Sequence, residues 1–145
     1  MTTYQHTQIG TAILYPLITA AVLGIALSFL SPIMRVALVV VIPLLLVAWV
    51  FSKLTVTIDE RSLRAAFGPG FVYKQVPLDQ IESCAPVRIK WWEGWGIHLS
   101  RFGWLYNVSG WDAVSIRLRG GKQLAIGTDQ PRELADAIRR SASAM

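Results

Sequence analysis

The stretch IGTAILYPLITAAVLGIALSFL, residues 9–30, decides how the chain is read, because it carries no charged side chain from end to end. At about 1.5 Å of rise per residue, a helix of this length covers the roughly 30 Å hydrocarbon core of a bilayer. A second apolar run goes from Val36 to Phe51, or from Ile33 if Arg35 snorkels to the head groups. It lies near the short end of the spanning range of about 17–25 residues. Between the two, Ser31-Pro32-Ile33-Met34-Arg35 reads as a tight turn, since proline breaks a helix. The expectation is an N-terminal tail over 1–8 and a transmembrane helical hairpin over 9–52, with helices at about 9–30 and 33–51.

Two other readings of the apolar block fit it less well. A secretory signal peptide needs a basic leader and an apolar core of about 7–15 residues. Residues 1–8 contain no Lys or Arg, and the run is longer than that. A buried helical pair of a soluble protein needs a polar face on each helix, and neither run has one.

Composition agrees. Of 145 residues 53% are hydrophobic and 16% charged, against about 25% charged in a soluble domain. Only Arg35 among the 14 basic residues precedes Lys53, and all nine acidic residues lie from Asp59 onward. The absence of Asp, Glu, Lys and His inside the two runs argues against a proton relay or ion pathway. Two spans place both termini on one side. Lys53, Arg61 and Arg64 follow the second run closely, so the positive-inside rule favours a cytoplasmic domain. Trp49 and Phe51 suit an aromatic belt. Ala20, Gly24 and Ser28 recur at four-residue spacing in the first run, where small side chains let helices approach. That face would pack on the second helix or on another copy of the chain.

From Lys53 the pattern changes to period two. Leu54-Thr55-Val56-Thr57-Ile58 alternates apolar and polar, as a half-buried strand does. Asp59 to Ser62 is a turn, residues 63–67 return, and Gly68-Pro69-Gly70 breaks the chain. Further strands are expected over 71–76, 81–89, 96–104, 113–119 and 122–126. Pro86 marks the fourth as an edge or a bulge, and Gly120-Gly121 reads as a two-residue hairpin turn. A final helix follows, capped by Thr128 or Asp129, with Pro131 in its first turn and Leu134, Ala135, Ala137 and Ile138 as its apolar stripe. The expectation for 53–141 is therefore a mostly β, α+β domain: seven antiparallel strands in a barrel or sandwich closed by a C-terminal helix, with a frayed tail over 142–145.

The order and spacing of Leu54-Thr55-Val56-Thr57-Ile58-Asp59, Pro77-Leu78-Asp79-Gln80-Ile81, Gly94-Trp95-Gly96-Ile97, Tyr106-Asn107-Val108-Ser109-Gly110 and Ile126-Gly127-Thr128-Asp129-Gln130-Pro131 carry a family likeness. From Leu54 to about Arg140 the chain resembles the bacterial pleckstrin-homology-like (PH-like) domains found in small membrane proteins. The resemblance implies two packed antiparallel sheets with the helix closing one open corner, at a bacterial inner membrane. It implies no ligand, because the fold hosts many functions.

Catalytic and metal-binding patterns are missing from the sequence. His6 and His98 are the only histidines, with no third ligand near either, which argues against zinc. Cys84, the single cysteine, reads as a small buried residue. There is no G-x-S-x-G elbow around Ser109, no Walker A loop and no dinucleotide fingerprint. No cofactor is expected, and the chain does not read as an enzyme. Thirteen basic against nine acidic residues from Lys53 onward, without a dense cluster, do not make a nucleic-acid surface. The turn at 68–70 lacks the basic residues a phosphoinositide site would need.

One local feature stands out. Lys90-Trp91-Trp92-Glu93-Gly94-Trp95-Gly96, followed by Arg101, Phe102 and Trp104, holds four of the six tryptophans. These rings either fill the core or meet the bilayer interface, with Lys90 and Arg101 on anionic head groups. Trp95 is expected to pack inward between its glycines. Trp91 and Trp92, adjacent in an extended segment, would point to opposite faces. The reading overall is a membrane-anchored, non-enzymatic interaction module for protein partners or its own copies, with a lipid-surface sensor as the second possibility.

Overall fold

The structure, a computed structural model, describes residues 2–144, apart from the side chains of Met34 and Ala37; Met145 at the end of the expected tail lies outside it. Its first element is a strand, β1 (Tyr4–Ile9), where a tail was expected. Its inward positions are Tyr4, His6 and Gln8, too polar to register as a half-buried strand. The strand is held by a partner far along the chain. It pairs antiparallel with β2 (Lys53–Ile58), from Tyr4 opposite Ile58 to Ile9 opposite Lys53.

Between these partners run two apolar helices, α1 (Thr11–Ser28) and α2 (Ala37–Val50), joined through a 3-10 turn at Ile33–Val36. Each continues through its proline, Pro16 or Pro43. They lie antiparallel. The Gly10 N–H donates to the Ser52 carbonyl at one end, 2.8 Å away, and Gly24 faces Val41 near the other. The contact face of α1 carries buried Ala21 and Ser28 with Gly24 between them; that of α2 carries Val41 and Ala48. Ala20 is exposed, so the expected face is off by one position. A strict four-residue repeat drifts about 40° around a 3.6-residue helix at each step, whereas alternating steps of three and four stay on one face. The remaining apolar surface of both helices is uncovered, and α1 is long and apolar enough to cross a membrane.

The strands β2, β3 (Ser62–Phe67) and β4 (Val72–Pro77) extend β1 into a four-stranded antiparallel sheet in the order β1-β2-β3-β4. Gly68, at φ +48°, lets the β3–β4 turn press on the end of α2; a β-carbon there would stand 2.5 Å from the Val50 carbonyl oxygen. The second sheet comprises β5 (Ile81–Arg88), β6 (Gly96–Ser100), β7 (Gly103–Asn107), β8 (Asp112–Leu118) and β9 (Gln123–Gly127), in the order β5-β8-β9-β7-β6. Pro86 sits on its edge strand, as the sequence suggested, and the β5 register shifts between Ile81 and Ser83.

Three expectations are corrected. The described residues hold nine strands, not seven: β1 is added, and the segment 96–104 is a hairpin folded at Arg101-Phe102. There the Phe102 N–H bonds the Ser100 hydroxyl, and Gly103 turns with φ +83° against the β9 backbone. The pairing is not wholly antiparallel, because β7 and β9 run parallel. The sheets form no closed barrel: no ladder joins them, which leaves β1, β4, β5 and β6 as edges.

The core lies between the sheets, where Leu54, Val56, Ile58, Leu63, Phe67, Val114, Ile116 and Ile126 are buried. Helix α3 (Pro131–Ser143) closes the end beside β5, burying Leu134, Ala135, Ala137 and Ile138 as the periodicity predicts. Its N-cap is Gln130 rather than Thr128 or Asp129; the Thr128 hydroxyl instead accepts from the Gln130 N–H at 3.1 Å. The β8–β9 connection is wider than two residues, since the Leu118 N–H reaches the Lys122 carbonyl around Gly120-Gly121.

Candidate membrane-facing and partner-contact surfaces

The aromatic and basic residues singled out in the sequence separate into four environments. Lys90, Trp91 and Trp92 form a small exposed knob. A 3-10 turn over Trp91–Glu93 is closed by the Lys90 N–H on Glu93 Oε2 at 2.8 Å and the Glu93 N–H on the Lys90 carbonyl at 2.9 Å. Because this segment turns rather than extends, both rings face solvent, 74% and 63% exposed, and meet edge-on at 5.8 Å. The Lys90 ammonium stands 4.7 Å from the Trp92 ring centre, a cation–π contact.

Arg101 belongs to the scaffold of that knob. Its guanidinium bonds the Arg88 carbonyl at 2.5 Å, approaches Glu93 Oε1 at 3.6 Å and lies over the Phe102 ring at 4.6 Å. These contacts pin the β6–β7 turn to the 90–93 loop, with the Arg101 side chain still 40% exposed.

Trp95 is turned partly inward. Its indole N–H donates to the Gly110 carbonyl at 3.2 Å, its ring leans on Trp111 at 5.0 Å, and it remains 39% exposed. With Gly96 it walls an apolar hollow of about 420 Å³ against Ile13 and Leu17 of α1 and Val47 and Phe51 near the end of α2. The start of β6 therefore sits where the helices meet the sheets. Phe71, in the β3–β4 turn, reaches the same level from the other sheet and meets Trp49 edge-on at 6.0 Å. Of the two expected belt residues, Trp49 is exposed. Phe51 turns into the core and packs on buried Phe67 at 5.3 Å.

Trp104 lies apart from the other three tryptophans of this stretch, on the inner face of the second sheet. The registers place Cys84, Ile116, Leu124, Trp104 and Leu99 in one row across all five strands. Ile116 and Leu124 are buried, whereas Trp104 and Leu99 are 53% and 71% exposed. The first sheet ends at β4 and leaves the β7–β6 end of this row uncovered. A groove of about 420 Å³ results, with Lys74 of β4 on one wall, Leu99, Trp104, Tyr106 and Leu124 on the other, and Lys122 at its rim. The sequence offered Trp104 only as part of the tryptophan cluster. Leu99, Lys74 and Lys122 were missed because each belongs to a different strand or turn, and only pairing brings them together.

Cys84 sits beside α3, its Sγ 3.5 Å from the Ala135 carbonyl, and burial pushes its thiol pKa above the ordinary value although Arg139 pulls the other way. His6 Nε2 contacts Asp129 Oδ1 at 2.5 Å, tying β1 to the approach to α3. His98 lies in β6, on the opposite face from Leu99. Among the described residues no three of His, Cys, Asp or Glu gather as a metal site would require. No protein-family model, curated protein or solved structure matches the chain.

Proposed function

We propose that the chain is an integral membrane protein in which α1 and α2 cross the bilayer as a hairpin and hold a PH-like β domain at the surface as a non-enzymatic interaction module. The observation that carries the reading is the β1–β2 ladder. β1 precedes α1 and β2 follows α2, yet the two strands pair along their whole length, so they share one side of any membrane. If α1 spans, the 3-10 turn and α2 must bring the chain back. Together, at about 2.0 Å and 1.5 Å per residue respectively, they cover roughly 29 Å. The uncovered apolar surface of both helices supports the same reading, since exposed apolar area on this scale is not left in water. Lys53, Arg61 and Arg64 favour a cytoplasmic domain, at a bacterial inner membrane if the PH-like resemblance is taken with it. Two sheets with an end-closing helix suit that resemblance, and the exposed grooves and knobs suit protein partners or a second copy.

Topology is tested with reporters fused at the two ends. Both are expected to be active in cytoplasmic form with the chain resisting alkaline extraction; reporters on opposite sides, or release at alkaline pH, overturn the anchor. Cross-linking in intact membranes is expected to give discrete complexes of higher mass. A chain that stays monomeric and uncoupled at every cross-linker length refutes the interaction module.

The exposed Trp91–Trp92 knob with its Lys90 cation favours a second role, contact with lipid head groups. Lipids brominated near the glycerol are expected to quench the wild-type chain more than a Trp91→Ser/Trp92→Ser variant. Equal quenching removes this role and leaves the module standing.

A further inference from the structure

The inner face of the second sheet is a continuous apolar surface whose two ends are treated differently. At the β5 end α3 lies over it, and from the first sheet Phe67 of β3 reaches Tyr106 of β7, 6.4 Å between ring centres. At the β6 end Leu99 and Trp104 stay exposed among the described residues, although they share a row with buried Leu124 and Ile116. The edge facing that gap is β4, which among the described residues pairs with β3 on one side and has no strand on the other. Its unpaired N–H and C=O groups are a template for one more strand, and a strand placed there would lie over Trp104 and Leu99.

Charge narrows what can enter. Lys74 stands opposite Ala65 in the β3–β4 ladder, on the same face as Val76 and the core. A lysine on the inward face of an edge strand disfavours indiscriminate pairing. Neither Lys74 nor Lys122 has an ion-pair partner among the described residues. A second copy adding antiparallel through its own β4, in the register centred on Lys74, would set Lys74 against Lys74, with like charges close together in a partly apolar groove. A segment with a carboxylate at that position meets both lysines instead.

We propose that the groove between β4 and the β6–β7 corner binds an extended segment of a partner protein, which adds to the first sheet as a fifth strand, lays alternate apolar side chains on Leu99 and Trp104, and brings an Asp or Glu to Lys74 and Lys122. The proposal rests on the interaction-module reading and names the class of partner for it. Main-chain pairing with β4 supplies affinity, and the pocketed apolar and acidic positions supply selectivity.

The test uses the full chain in lipid nanodiscs against a display library of random twelve-residue peptides. The expected result is enrichment of peptides with alternating apolar residues and an acidic residue at an inward position. Binding of a selected peptide is expected to fall about tenfold or more with Lys74→Glu, the size of a partly desolvated charge contact. It is expected to fall similarly with Leu99→Ser and to return when Lys74→Glu is paired with a peptide carrying Lys in place of its acid. Both positions are exposed or on a sheet edge, so an unchanged melting temperature shows the variants fold. Absence of enrichment, enrichment without an acidic position, or binding indifferent to Lys74→Glu overturns the proposal. So does a chain that dimerises through this edge, with dimers lost on Lys74→Glu, or quenching of Trp104 by brominated lipid. Each of these leaves the interaction module intact if cross-linked complexes persist in membranes; loss of the complexes themselves would refute the module.

Discussion

Replacing Gly10 with alanine tests whether the helices and the sheets form one rigid unit. Gly10 ends the β1 ladder and caps α1 at φ −78°, an ordinary backbone conformation, so its need for glycine is steric and not conformational. A β-carbon at this site overlaps the Phe51 carbonyl oxygen and comes within 3.2 Å of Val108 Cβ. Both obstacles are fixed, one by the end of α2 and the other by the core, so the chain at Gly10 must move. Its N–H then loses the 2.8 Å bond to the Ser52 carbonyl. Overpacking costs about 1–3 kcal/mol and the hydrogen bond about 0.5–1.5 kcal/mol. Reduced freedom of the unfolded chain returns about 0.4–1 kcal/mol. The net loss is centred on about 2–3 kcal/mol, or roughly 6–12 °C in melting temperature for a chain of this size. Thermal unfolding in detergent followed by near-ultraviolet circular dichroism measures it. Thr11→Ala, which removes only an exposed hydroxyl contact to Ser109, is expected to cost under about 1 kcal/mol and serves as the control. A Gly10→Ala variant that melts with the wild type refutes the argument that the helical pair is braced against the sheets at this point.

Two other outcomes follow from the packing and the charges. Leu134→Asp combined with Ile138→Asp buries two unpaired carboxylates under α3, at several kcal/mol, and is expected to abolish cooperative unfolding; retention of a sharp transition would show that α3 does not dock. In the β2–β3 turn, Asp59 accepts from the Arg61 N–H at 2.8 Å, the Ser62 N–H at 2.6 Å and the Ser62 hydroxyl at 3.0 Å, and these bonds hold its pKa below the ordinary carboxylate value. A lowered folded pKa means the contribution is present above the unfolded value and is lost as pH falls through the folded one. Asp59→Ala is therefore expected to cost about 1 kcal/mol at neutral pH and progressively less in acid; a cost independent of pH would separate it from the carboxylate.

The apolar block, the strand alternation from Leu54 and the buried stripe of α3 are visible in the sequence because each is written in consecutive residues with one period. What escaped it is non-local. β1 is polar at every inward position, and only its partner, 44 or more residues away, shows it to be a strand. The hairpin at Arg101-Phe102 is marked in the sequence only by Ser100 and Gly103, too little to divide the segment 96–104 into two strands. The groove needs Lys74, Leu99, Trp104 and Lys122 together, and they come from β4, β6, β7 and the β8–β9 turn. Conversely, the tryptophan cluster looked like one site because its members are close in sequence; the strand pairing sends Trp104 to the inner face of the second sheet, in the row of Leu99 and Leu124 and away from the Trp91–Trp92 knob.

The β1–β2 ladder also sets an order of events during synthesis. The ribosome releases β1 first, but its partner emerges only after some 40 intervening residues that make up both apolar helices. In a chain whose helices enter a bilayer, the first sheet closes only when both have been inserted and the second has returned. A chain stalled with one helix across has β1 and β2 in different compartments, and β2 is left with a bare edge that invites aggregation or proteolysis. In the proposed hairpin topology, closure of the ladder would then act as a checkpoint on insertion, because the complete sheet forms only when both of its first two strands share one side.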